Sequence, residues 1–97
     1  MQVVVCRLTL RLHDNRSLKG KRHIVRSLID RVRHRFEVSI SEVGDQDILK
    51  SARIGIAIVS GDARHAGEMM DRVVEYAEAQ LFEADVVDIE REVIDID

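Results

Sequence analysis

Proline and tryptophan are absent from these 97 residues, only one cysteine is present, and Phe36, Tyr76 and Phe82 are the whole supply of aromatic rings. Each shortage excludes something. With three rings, a mechanism built on rows of aromatics stacking against bases or sugars is excluded. A lone thiol, Cys6, can neither close an intrachain disulfide nor complete a zinc knuckle; it fits a reducing compartment and reads as a small buried apolar residue. The absence of proline and a count of five glycines leave too little disorder-promoting composition for a long flexible tail. Long hydrophobic runs are missing too. Val3 to Cys6 is cut off by Arg7, short of a signal-peptide core of ~7 to 15 residues, and nothing approaches the ~20 apolar residues of a bilayer span. A cytoplasmic protein without membrane contact is expected, with residues 1–97 forming one domain, since a chain of this size closes a single core.

Charge is abundant, at 34% of residues, and the formal net of -3 hides how it is distributed. Up to Phe36 there are ten Lys or Arg against two acids, Asp14 and Asp30; after Phe36 there are five against sixteen. A domain that gathers its positive charge in one stretch makes a local field able to attract polyanions even when the molecule as a whole is mildly acidic.

The apolar pattern supplies the architecture. Val4, Cys6, Leu8, Leu10 and Leu12 alternate with Arg7, Thr9 and Arg11, the period of a strand with one buried face. After the polar turn His13 to Arg16, Ser17 is placed to cap a helix running to about Arg35, with Ile24, Val25, Leu28, Ile29, Val32 and Phe36 as its stripe. Val38 and Ile40 mark a short strand ending near Gly44. Ala52 to Ser60 is apolar on both faces and therefore central, with Ile54, Ile56 and Ile58 on one side and Gly55, Ala57 and Val59 on the other. Asp62 caps a second helix, and Val86 to Ile96 forms the last strand. Two helices with one greasy stripe each bury themselves against a common sheet, and right-handed crossovers place both on the same side. The prediction is an α+β fold, a ferredoxin-like βαββαβ sandwich whose four-stranded antiparallel sheet has the order 4-1-3-2.

Helix one carries the strongest functional signal. At about 100° per residue, Lys19, Arg22, Arg26 and Arg33 fall in one band roughly 60° wide. Lys19, Lys21 and Arg22 crowd the first turn, where the helix dipole disfavours cations by about 0.3 to 1 kcal/mol each. Free amides at the helix start, the Ser17 hydroxyl and Gly20, which allows close approach, complete a phosphate seat. The expected nucleic-acid contacts are Lys19, Lys21, Arg22, Arg26 and Arg33, with Ser17 and Gly20 binding anion; an acidic protein partner and a solvated face are the competing readings.

Other chemistry reads weakly. The segment is not a P-loop, because Asn15 stands where its first glycine belongs and Arg22 where its hydroxyl belongs. His23 and His34 are about 16 Å apart along the helix, too far to share an ion. Asp45 and Asp47 begin like a calcium loop, but Leu49 and Ile56 occupy ligand positions. Arg7 and Arg11 are expected to face Asp88, Glu90 and Glu92 on the neighbouring strand, and the acids of the last strand read as edge protection. No catalytic residue, metal or cofactor is expected. The second apolar face of the central strand, Gly55, Ala57 and Val59, extended by Val3, Val5, Ile94 and Ile96, predicts a homodimer through the exposed sheet face.

The stretches RSLKGKRHIVRSLIDRVRHRF (Arg16 to Phe36), VSISEVGDQD (Val38 to Asp47) and AIVSGD (Ala57 to Asp62) together resemble the YlxP-like family of small bacterial proteins of unknown function. That resemblance covers nearly the whole chain and implies a ferredoxin-like fold. Members are often encoded beside translation-initiation and ribosome-maturation factors, which implies a role near ribosomal RNA. Leu49 stands where members often carry Trp. Together these features predict a non-enzymatic cytoplasmic module docking on RNA phosphates or a ribosomal partner; the alternative is a small-ligand-binding regulatory dimer similar to ACT domains. An acylphosphatase-like activity is disfavoured because the glycine-rich signature GxVQGVxFR is absent.

Overall fold

β1 (Gln2–Leu12), α1 (Leu18–Arg35), β2 (Ser39–Gly44), β3 (Ser51–Ser60), α2 (Ala63–Gln80) and β4 (Ala84–Asp95) follow one another in a computed structural model that describes residues 1–97. The strands form one antiparallel sheet in the order β2-β3-β1-β4, the expected 4-1-3-2 order taken from the opposite edge. The predicted ferredoxin-like sandwich is the fold observed.

Alternation does the work in the two central strands. Val4, Cys6, Leu8, Leu10 and Leu12 of β1 and Ala52, Ile54, Ile56 and Ile58 of β3 are buried beneath the helices, together with Val25, Leu28 and Val32 of α1 and Ala66, Met70, Val73 and Ala77 of α2. Cys6 is part of this core, and burial pushes its thiol pKa up, with Arg91 pulling the other way. Both helices begin on side-chain caps. Ser17 Oγ accepts from the Gly20 amide at 3.0 Å, and Asp62 Oδ1 accepts from the amides of Arg64 and His65. Arg33, His34 and Arg35 in the last turn of α1 suit the negative end of its dipole.

β4 starts two residues earlier than its alternation suggests. A bulge opposite Leu10 lets Val86 meet the core and inserts Val87 as an extra residue. Beyond it, Ile89, Arg91 and Val93 lie opposite Leu8, Cys6 and Val4, on the side of the sheet that bears the helices. The helix layer does not reach them: Ile89 and Val93 are exposed. Only Arg91 bridges back to α2, donating to Asp71 Oδ1 and to the Gly67 carbonyl. No helix is long and apolar enough to cross a membrane.

Candidate nucleic-acid interface

The cations of α1 separate into two groups according to helical phase. Lys19, Arg22, Arg26 and Arg33 are exposed along one side, and none of them lies within 4.0 Å of a carboxylate of the chain. Three of them form one wall of a groove of about 300 Å³ between α1 and the edge strand β2. Arg22, Arg26, Arg33 and Asp30 come from the helix, Ser41 and Glu42 from β2, and Val25 and Ile29 complete the lining. Arg33 Nη2 donates to the Ile40 carbonyl at 2.7 Å, tying the end of the helix to β2 while its guanidinium keeps its charge.

Lys21 belongs to the other group, which corrects its assignment to the nucleic-acid contacts. It is 1% exposed. Its ammonium donates to the backbone carbonyls of Asp45 and of Ile48, the latter at 2.9 Å, and lies 3.4 Å from Glu42 Oε2. A buried ammonium persists only with such partners. Lys21 therefore fastens the β2–β3 connection over the start of α1, and no polyanion reaches it. Its position was legible after all: residues 21, 25, 28 and 32 follow the 4-3-4 spacing of one helix face, and Val25, Leu28 and Val32 are core.

The expected anion seat at Ser17 and Gly20 is occupied by the chain itself. The Ser17 hydroxyl and the Gly20 amide satisfy each other. Beside them Asn15, 8% exposed, donates from Nδ2 to the carbonyls of Ser17 at 2.9 Å and Leu49 at 2.6 Å. Its Oδ1 would lie 2.6 Å from a Cβ on Gly20. Gly20 is thus a glycine because Asn15 fills the space beside it, which corrects the expected open approach for phosphate. Against the motif Asn15 is only a departure from a P-loop; a polar residue three before a serine-capped helix is the signal the sequence offers.

The connection so fastened has its own anchor. Asp45 sits at φ 59°, and its carboxylate accepts from Ser51 Oγ at 2.7 Å and lies 3.3 Å from Arg53 Nε. The Ser51 hydrogen bond holds the Asp45 pKa below the ordinary carboxylate value, opposed by partial desolvation and assisted by the charges of Arg53 and Lys21. The loop presents Ile48 and Leu49 to solvent.

Elsewhere some charged groups pair locally, while Arg11, Arg16, Arg31, Arg35, Lys50 and Arg72 also have no carboxylate within 4.0 Å. Arg7 bonds Glu90, as expected, whereas Arg11 stands opposite Asp85, whose carboxylate instead meets His13 Nε2 at 2.7 Å. No three His, Cys, Asp or Glu side chains converge on a point where a metal ion would sit. Arg35 lies over the Tyr76 ring at 4.8 Å, with Phe36 edge-on to the same ring, so two of the three aromatics are engaged within the fold.

A family model described as "Protein of unknown function (DUF503)" matches residues 3–91. Over 68 residues the chain is 35% identical to a Bacillus subtilis (strain 168) protein described as "Uncharacterized protein YlxP", a match covering 70% of this chain and 74% of that one. Among solved structures, a de novo designed protein with ferredoxin fold superposes with a TM-score of 0.62, covering 96% of this chain and 85% of the design at 18% identity. The structural likeness supports the architecture alone.

Proposed function

We propose that this chain, which belongs to the DUF503 family of proteins of unknown function, is a non-enzymatic cytoplasmic module that docks on RNA phosphates of a ribosomal partner through Lys19, Arg22 and Arg26, with Arg33 in support. One observation carries the reading: these cations line one side of α1, three of them along a groove, without a carboxylate of their own chain within ion-pair distance. Ordinary solvated helix faces mix signs for local pairing; only Asp30 interrupts this one. Lys19 to Arg33 spans about 21 Å of helix, enough to follow several phosphates of a polyanion. With no ring in the groove wall, recognition rests on the phosphate backbone and its shape, which positions a partner and reads little sequence.

Binding of this kind releases counterions. Filter retention of structured RNA should weaken with salt, with a log–log slope of about -2 to -4 for three or four phosphate contacts. Arg22→Glu combined with Arg26→Glu should abolish retention. Absence of retention at low ionic strength, or an unchanged affinity in the double variant, would refute the proposal.

A further inference from the structure

The face of the sheet away from the helices has no cover, and its side chains form rows across the strands. Val59, Val3 and Ile94 make one row, followed by Ala57, Val5 and Glu92, then Gly55, Arg7 and Glu90, then Arg53, Thr9 and Asp88. Val43 folds over Gly55, where a Cβ would meet its Cγ1 at 2.7 Å, so the glycine lets the valine lie down on the sheet. One end of the face is therefore aliphatic, with Val59 at 66% exposure and Ile94 at 40%. The other end carries arginines on β1 and β3 and acids on β4.

We infer that this face is the interface of a homodimer, two copies packing sheet against sheet about a two-fold axis that runs along the strands. Three features select a second copy as the occupant. The three long strands that overlap, at ~4.8 Å spacing and ~3.3 Å per residue, give a face on the order of 500 Å², near the ~600 Å² per partner at the low end of stable interfaces. The face is complementary to itself: with the axis near β1, each β4 lies over the other copy's β3. That sets Ile94 against Val59, with Val3 and Val5 at the centre, and Asp88 against Arg53, which also lies 3.3 Å from Asp45 of its own chain. The two copies of Arg7 face each other near the axis. Arg7 enters already bonded to Glu90. The competing self-association, β4 pairing edge to edge with its own copy, sets Asp88, Glu90 and Glu92 opposite acids and is opposed by like charge.

The test is sedimentation equilibrium of the full chain over a wide concentration series. The wild type should show twice the 11.1 kDa chain mass. Val59→Arg, at an exposed position outside the core, should raise the dissociation constant at least about thirtyfold, the range of an interface hot spot, with an unchanged circular dichroism spectrum. Asp88→Lys should weaken the dimer in the same direction. Phe82→Arg, at a 77% exposed position beside the ends of the helices, and Ile89→Arg, on the helix side of β4, should leave it intact. A monomeric wild type at every concentration overturns the inference, as does dissociation by Ile89→Arg with Val59→Arg silent. Because the RNA contacts lie on α1, a dimer that fails to retain RNA, or a monomer that retains it, separates this inference from the proposed function.

Discussion

Lys21 and Arg22 are adjacent in the chain and belong to the same turn of α1, yet one is sealed beneath a loop and the other stands in solvent. Their difference is about 100° of helical rotation. At the inner phase a cation meets two carbonyls and Glu42, which together replace its hydration and hold the β2–β3 connection in place. At the outer phase the same charge has no partner within the chain and remains available to one outside it. The dense basic run at the start of α1 thus serves two purposes, one holding the fold and one facing outward. Charge counting alone merges them.

The largest effect should come from the inner side. Lys21→Met removes the ammonium while leaving the carbonyls of Asp45 and Ile48 and the Glu42 carboxylate in place, at a cost of about 3 kcal/mol, visible as a lower urea midpoint with an unchanged slope. Were Lys21→Met as mild as an exposed substitution, the division of the helix into two sides would fail. Gly20→Ala forces Asn15 out of its seat and strains its bonds to the Ser17 and Leu49 carbonyls, so a loss of about 1 to 2 kcal/mol is expected in the same measurement. Arg22→Glu with Arg26→Glu should change stability by no more than about 0.5 kcal/mol while removing RNA retention, the reverse of the Lys21 outcome.

The smallest effect is the acid dependence of the loop. The Asp45 carboxyl has a folded pKa below its unfolded one, chiefly because Ser51 donates to it. Its contribution is therefore complete above the unfolded value near ~3.9 and disappears as pH falls through the folded value. Asp45→Asn keeps a residue that tolerates positive φ and removes the titration. Melting temperature should then decline less steeply below about pH 4 in the variant than in the wild type. Equal slopes would show that Asp45 does not couple to folding.

Most of the fold was legible because two signals suffice for it. Period-two runs in β1 and β3 and the stripes of both helices place the elements, and Ser17 and Asp62 mark the caps. The poorly read element was β4, where the bulge opposite Leu10 interrupts the alternation, and Ile89 and Val93, on the helix side of the sheet, are left bare by a helix layer that ends short of them. At the candidate site, the ridge of Lys19, Arg22, Arg26 and Arg33 was legible from helical spacing. The contribution of β2 was not, since Ser41 and Glu42 reach the groove only when the sheet order brings that strand beside α1. Asn15 escaped for the same reason: its value lies in the Leu49 carbonyl, 34 positions away.

The sequence by itself determined which residues form strands and helices, and on which side of α1 the charge gathers, because those properties repeat with the local period of the backbone. Only the tertiary structure decided that Lys21 is a clasp and that Ser17 and Gly20 are closed by Asn15. Those outcomes depend on contacts between segments far apart in the chain, and no local period encodes which distant carbonyl will lie within reach of an ammonium.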